Sequence, residues 1–299
     1  MELTSLGPAD LRTLQSALLD GTPVRLRGRP ACAHPLDELV PLFHEVDDAS
    51  LSEWLPPAGR GGGAHRVTAV IPTHRQRPIG LDALAGQDLE VEVLVLANGG
   101  YTDGVRVPWR GHGATRQVGV ELARHPWVLF TVDDAVPLGA GFVRTLVEAA
   151  IDGGYDAVVA RQVSWPTADP VTRARLRAWT PPGRGHRPSL MLDNVAALYR
   201  RDALLADPFD GVPIAEDWHW GRRHRVGYVP EAPVLHSHPR TLRALYARTA
   251  ALHRELHRGG EAPRVPDLPT LLRALPSTVG PDLRGALGEL LGQYVAGRG

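Results

Sequence analysis

Lysine is absent from the 299 residues, and all 33 cationic side chains are arginine. Schiff-base catalysis, a phosphate-loop lysine and a lysine general base are thereby excluded. Cysteine occurs once, at Cys32, so no disulfide framework can form. No stretch approaches the ~20 apolar residues that cross a bilayer. Met1-Glu2-Leu3-Thr4 lacks the basic start and apolar run of a signal peptide, and a cytoplasmic protein is expected. Net charge is missing as well. The 33 cations are balanced by 33 acidic residues, so no global field holds a nucleic-acid backbone and nucleic acid is not an expected partner. What remains is 43% hydrophobic and 22% charged with 32 Gly, an ordinary globular composition that rules out disorder and collagen. A chain of this length forms one large domain or two modest ones without staples.

Charge is unevenly placed. Residues 1–65 carry 5 Arg against 9 acidic residues, whereas residues 239–299 carry 9 Arg against 5. Two readings stand for these complementary ends: ordinary solvated faces, or an acidic arm packed near a basic tail. Pro56-Pro57-Ala58-Gly59-Arg60-Gly61-Gly62-Gly63 resists regular structure and reads as a linker. The expected organisation is an extension and linker over 1–64, a catalytic domain over 65–239 and a helical tail over 240–299.

After the linker, short apolar runs alternate with helical segments, the pattern of parallel strands joined by helical crossovers. Strands are expected at Val67–Ile71, stopped by Pro72, and at Glu90–Ala97, 127–132, Ala157–Ala160 and Val234–His238. Helices are expected over 79–86, 113–124, 141–151 and 216–226. The third strand runs straight into Asp133-Asp134, placing carboxylates at the C-terminal edge where ligands of open α/β sheets bind. From Trp165 to Ser189 periodicity is lost among prolines, glycines and arginines. This stretch is either a mobile loop over a substrate or a plain excursion. Beyond Pro239, Leu242, Leu245, Tyr246, Thr249, Leu252 and Leu256 follow helical spacing.

Polar clusters stand at the ends of these elements: Pro72-Thr73-His74-Arg75, Arg116, Asp133-Asp134, Glu216-Asp217 and His236-Ser237-His238. Paired aspartates after a strand form a cap and turn, or hold a hard divalent cation that takes oxygen ligands and substrate phosphates. His-Ser-His is strand-edge polarity or a metal ligand. Their order along the chain is harder to assign to coincidence than any one of them.

In that order the chain resembles the family 2 glycosyltransferases, nucleotide-sugar enzymes of the GT-A fold, over roughly residues 66–257. Val67-Thr68-Ala69-Val70-Ile71-Pro72-Thr73-His74-Arg75 looks like the family's opening strand. Gly113-Ala114-Thr115-Arg116-Gln117-Val118-Gly119 looks like its Gly-x-x-x-Arg-Asn-x-Gly helix, with Gln117 where Asn is usual. Trp127-Val128-Leu129-Phe130-Thr131-Val132-Asp133-Asp134-Ala135-Val136-Pro137 is similar to the strand bearing the metal-binding aspartates. Ala215-Glu216-Asp217-Trp218-His219-Trp220, Gly227-Tyr228-Val229-Pro230-Glu231-Ala232 and Val234-Leu235-His236-Ser237-His238 are close to the bacterial rhamnosyltransferase-like branch.

The resemblance implies a Rossmann-like α/β domain with a mixed, mainly parallel sheet. It implies a nucleoside-diphosphate sugar donor, a glycan, lipid-linked or small-molecule acceptor, and Mn2+ or Mg2+ as cofactor. Because negative charge grows on the leaving diphosphate, a cation there favours the transition state selectively. The implied metal ligands are Asp134 and His236, with His238 second. Pro72, Thr73, His74, Arg75, Asn98, Arg116 and Asp133 fall to the donor, Asp133 toward the ribose and Arg116 toward the diphosphate or base. Asp217 is the implied general base, with Glu216 as fallback, in a single displacement that inverts the anomeric carbon. Trp218, Trp220 and Asn194 could face the acceptor. For the tryptophans the alternative is simple burial, and for Asn194 a turn. Two departures stand out. Ala97-Asn98 occupies the place of an acidic base-binding residue, and Val132 replaces a third carboxylate before the aspartate pair. The alternatives are a degenerate nucleotide-sugar-binding protein and a sugar-1-phosphate nucleotidyltransferase, which would need the glycine-rich phosphate loop and lysine that are missing here. Arg240, Arg243, Arg248 and Arg254 either rest on an anionic membrane or pack the tail onto the catalytic domain.

Overall fold

The computed structural model describes Glu2–Leu3, Arg25–Leu26, most of residues 65–237 and a few residues between 247 and 255. Gaps within the main stretch fall at 75–76, 100–102, 166–167, 169–175, 177–178, 210 and 213. Arg75, His238, the linker and the tail's helical pattern therefore lie outside the described residues. Glu2–Leu3 (β1) and Arg25–Leu26 (β2) form a short parallel pair.

The main domain runs β3 (Arg66–Thr73), α1 (Leu81–Ala85), β4 (Glu90–Ala97), β5 (Val105–Arg106), α2 (His112–Leu122), β6 (Trp127–Thr131), β7 (Val136–Pro137) and α3 (Phe142–Gly153). It continues through β8 (Ala157–Val163), β9 (Arg187–Pro188), β10 (Ala196–Arg200), α4 (Arg201–Ala206), α5 (Glu216–Gly221) and β11 (Val226–Leu235). Strands β3 to β11 make one mixed sheet in the order β5-β4-β3-β6-β10-β8-β11-β7, with β9 also paired to β11. The first four are parallel. β10 enters antiparallel between β6 and β8, and β11 is again parallel to β8. From β3 the chain moves to β4 on one side and later to β6 on the other. The crevice beyond the C-terminal ends of β3 and β6 is thus the topological switch point, where loops part and ligands bind.

Alternation along the strands builds a core on each face. Val67, Ala69 and Ile71 of β3 face Leu84 of α1 and Phe142 and Leu146 of α3, while Val70 faces Leu96, Val120 and Phe130 on the other side. Each fully buried Leu or Phe contributes about 1.5–3 kcal/mol. These contacts hold the strand ends at one common edge.

Three sequence expectations change. β3 continues through Pro72 to Thr73. Its ladder to β6 ends at Val70↔Phe130 while pairing with β4 continues, so the missing amide of Pro72 faces a side with no ladder bond to lose. The helix expected over 216–226 ends at Gly221, because Val226-Gly227-Tyr228-Val229 is taken up by pairing with Ala157–Ala160. Pro230 and Pro233, which divide the sequence pattern, sit at a register shift in one ten-residue strand, as bulges permit. The described end of the 165–189 stretch is tied to the sheet. Tyr228 Oη donates to the Pro181 carbonyl at 2.7 Å, Thr180 Oγ1 to the Gln162 carbonyl at 3.0 Å, and β9 pairs with β11.

Candidate functional site

The sheet order brings distant residues to one edge. Thr73 ends β3, Asn98 follows β4, Asp133 and Asp134 follow β6, Gln162 lies near the end of β8 and His236 follows β11. Because β10 runs antiparallel, its beginning meets the same edge. The Val132 amide donates to the Val195 carbonyl at 3.2 Å, which sets Asp133-Asp134 beside Asp193-Asn194.

On the β3–β4 side, Thr73 Oγ1 donates to Asp133 Oδ2 at 2.6 Å, fixing that carboxylate. The Asn98 amide donates to the Thr73 carbonyl at 2.8 Å and its Nδ2 to the Val107 carbonyl at 2.9 Å. Asn98 Oδ1 is buried with no hydrogen-bond partner among the described residues. A Cβ at Gly99 would stand 2.3 Å from the His74 carbonyl oxygen, so only glycine lets these two loops touch. His74 lies against Trp109, and Trp109 against His112, each with ring centroids 4.9 Å apart. Trp109 is 45% exposed. Sequence reasoning missed it. The available signal was a tryptophan outside any strand, just ahead of the Arg116 helix.

On the β6–β11 side, the Ile79 amide donates to the Asp133 carbonyl at 2.9 Å. At Gly80 a Cβ would meet the Ala135 carbonyl oxygen at 2.4 Å, so the aspartate turn is pressed onto a residue without a side chain. His236 Nε2 lies 3.6 Å from Asp134 Oδ1. His236 is 5% exposed, and its Nδ1 is 3.2 Å from Gln162 Oε1. Gln162 Nε2 in turn donates to Asp193 Oδ2 at 2.8 Å. Among the described residues no group of three or more His, Cys, Asp and Glu forms a metal cage. A carboxylate oxygen and an imidazole nitrogen at this spacing are nevertheless donors that could hold a divalent cation such as Mn2+. Gln162 and Asp193 were not singled out from sequence, since residues 31 and 74 positions apart carry no local signal.

Facing these is the acidic group of α5. Ala215, just before it, has φ 70 in the left-handed region, a strained setting for a residue with a Cβ. Glu216 is buried and receives Arg116 Nη1 at 2.6 Å and Asn194 Nδ2 at 3.3 Å. Arg116 is buried too, with its Nε unpartnered among the described residues. Asn194 Oδ1 accepts from Tyr199 Oη at 2.7 Å. Asp217 Oδ2 accepts the Asn194 amide at 2.8 Å and Oδ1 the Trp218 amide at 2.8 Å. Burial, followed by the neighbouring charges of Glu216 and Asp193, pushes the Asp217 carboxyl up to about 7, against the pull of the Asn194 amide and Arg116. Burial also pushes the Tyr199 hydroxyl well above its ordinary range, so it stays a donor. Trp220 is fully buried, stacked on His224 at 3.7 Å, with Nε1 donating to the Asp207 carbonyl at 2.7 Å. Its ring belongs to the core; Trp218 is partly exposed. Among the described residues no helix is long and apolar enough to cross a membrane.

No family model matches the chain, and no curated protein matches it significantly. Solved structures do match. The mannosyltransferase PcManGT from Pyrobaculum calidifontis, in complex with GDP-Man and Mn2+, is 17% identical with a TM-score of 0.52, over 97% of this chain and 85% of that one. Residues 1–349 of S. aureus TarS in complex with UDP-GlcNAc are 13% identical with a TM-score of 0.43, over 78% of this chain and 90% of that one. A mycobacterial protein is 20% identical with a TM-score of 0.47, over 69% and 77%. The likeness to the mannosyltransferase shows the fold: a mixed α/β sheet flanked by helices, of GT-A type.

Proposed function

We propose that the chain is an inverting glycosyltransferase, moving a hexose or deoxyhexose from a nucleoside-diphosphate sugar to an acceptor hydroxyl. One observation carries this reading. A single sheet edge holds a carboxylate–imidazole pair, Asp134 and His236, and, tied to it through Asp193-Asn194, a carboxyl, Asp217, raised to about 7. The likeness to a mannosyltransferase with bound GDP-Man and Mn2+ supports it.

In this reading Asp133, steadied by Thr73, receives the donor ribose, and Pro72 and His74 line the same loop. The orphaned Asn98 Oδ1 offers the nucleobase an acceptor, and Trp109 offers it a ring face. Asp134 and His236 would hold Mn2+ or Mg2+, which when bound would offset the charge growing on the leaving diphosphate. The acceptor oxygen attacks the anomeric carbon from the face opposite that diphosphate. The new carbon–oxygen bond forms as the carbon–phosphate-oxygen bond breaks, and the hydroxyl proton passes to Asp217. A carboxyl titrating near neutrality suits that transfer. Arg116 stands behind the acidic pair, its Nη1 donating to Glu216 Oε1 at 2.6 Å. Trp218 lies on the acceptor side, whereas Asn194, 2% exposed with both side-chain ends bonded, holds Glu216 and Asp217 in place; the rhamnosyltransferase-like motifs favour a deoxyhexose.

The test is donor turnover. Nucleoside diphosphate release is measured with UDP-, GDP- and TDP-sugars, with and without Mn2+, in the protein and in Asp134→Ala and Asp217→Asn. Metal-dependent release lost in both folded variants is expected. Full release in Asp134→Ala, or none from any donor, would overturn the reading.

A further inference from the structure

Asp193 and Gln162 belong neither to the Asp134–His236 pair nor to the base, yet their bonds constrain His236. Asp193 is held in turn: its Oδ1 accepts the Val195 amide at 3.0 Å, leaving Oδ2 to accept Gln162 Nε2 at 2.8 Å. A carboxylate only accepts, so the amide end of Gln162 must face Asp193 and its carbonyl end must face the histidine. Turning the amide over would set two oxygen acceptors against each other. Gln162 Oε1 also only accepts, so the His236 nitrogen 3.2 Å away, Nδ1, carries the hydrogen. The other nitrogen, Nε2, is the one 3.6 Å from Asp134 Oδ1; with a divalent cation between them it would present its lone pair to the ion, whereas without one a second hydrogen on Nε2 suits the carboxylate.

Backbone pairing fixes the same geometry. Gln162 and Val163 of β8 register with Val234 and Leu235 of β11, and the His236 amide donates to the Val163 carbonyl at 2.9 Å. Both Gln162 and His236 are buried, at 8% and 5% exposed, so water does not readily replace the Gln162–His236 bond.

We propose that Gln162, aimed by Asp193, keeps a hydrogen on His236 Nδ1 and turns Nε2 toward Asp134, making Gln162 a positioning residue for the divalent cation. The inference rests on the metal-assisted reading above. It also gives the Asp193-Asn194 dipeptide a double task. Asp193 orients the metal-side histidine through Gln162, and the Asn194 amide holds Asp217 on the base side. One backbone unit thereby sets the spacing between the two halves of the site.

Two measurements test this on the whole chain. Long-range 1H–15N correlation spectra at pH 8 should show a hydrogen on His236 Nδ1, and with Mg2+ and GDP or UDP present an unprotonated Nε2, with the signal assigned by loss in His236→Ala. The Gln162→Met variant, which keeps the length of the side chain but removes the acceptor, should shift the ring toward the Nε2–H form. Mn2+ binding, followed by electron paramagnetic resonance in the presence of GDP and, separately, UDP, should weaken about 10- to 100-fold in Gln162→Met. A His236 Nδ1 without hydrogen in the unsubstituted protein would overturn the proposal without any variant. So would undiminished Mn2+ binding in folded Gln162→Met when Asp134→Ala abolishes it. If the unsubstituted protein and Asp134→Ala bind Mn2+ equally, the metal-assisted reading itself fails.

Discussion

The backbone N–H of Asn194 donates to Asp217 Oδ2 at 2.8 Å, across 23 residues of sequence. This bond joins the strand edge that begins β10 to the first turn of α5, and it stabilises the ionised form of a carboxyl that burial otherwise disfavours. The group therefore remains able to ionise near neutral pH, where a general base must work.

A pH dependence follows, with a definite sign. The Asp217 carboxyl titrates near 7 in the folded chain and at about 3.9 when unfolded. Between those values the folded state holds a proton that the unfolded state has lost, so stability falls as pH rises from about 4 to about 7 and then levels. Asp217→Asn removes this slope. Urea unfolding should show the variant gaining stability over the unsubstituted protein at pH 8, with the difference shrinking toward pH 4. Turnover in the unsubstituted protein should climb through pH 7 to a plateau. Asp217→Asn should lose at least 100-fold in kcat. An unchanged rate would move the base to Glu216 or elsewhere.

The Arg116–Glu216 pair is almost dry, with side chains 8% and 5% exposed. Removing one partner leaves the other charge buried without compensation, which costs about 3–5 kcal/mol. Arg116→Met and Glu216→Gln should each unfold at clearly lower urea concentration, and the double variant should lose less than the sum of the two. The single change at Arg116 also removes a cation that draws Asp217 down, so the pH midpoint of its turnover should rise. Strictly additive destabilisation would mean that the pair is not an energetic unit.

How much of this could be read beforehand depended on whether the signal was local. Val67–Ile71, Glu90–Ala97 and the run into Asp133-Asp134 carry their strand signal in consecutive side chains, and they are strands in the structure. Asp134 and His236 were paired through the family resemblance, 102 positions apart, and the sheet brings them to 3.6 Å. Boundaries set by tertiary pairing were not legible. Pro72 and the two prolines of β11 read as breaks until the unpaired side and the register shift are known. Nor could Gln162 and Asp193 be seen, because neither has a motif and they act through partners that the parallel β8–β11 and antiparallel β8–β10 pairings supply. Trp220 was ambiguous for a different reason. A tryptophan in Glu-Asp-Trp-His-Trp serves a ligand or a core equally well, and only its complete burial decides.

Trp109 gives the nucleotide side its own test. Its ring lies between His74 and His112 at centroid distances of 4.9 Å, and 45% of the residue stays open to solvent. A ring left so exposed beside the switch-point crevice contributes little to folding, so its removal should barely move the unfolding midpoint. Stacking a nucleobase on it is worth about 1–3 kcal/mol, which predicts roughly 5- to 150-fold weaker binding of UDP, GDP or TDP to Trp109→Ala in calorimetric titration. Trp109→Phe should recover much of that loss, because a smaller aromatic face remains. The unpartnered Asn98 Oδ1 supplies the control. Asn98→Leu should weaken the preferred nucleotide more than the others, whereas loss at Trp109 should weaken all of them alike, since every base presents a π face. Equal binding by Trp109→Ala and the unsubstituted protein would place the base away from this ring.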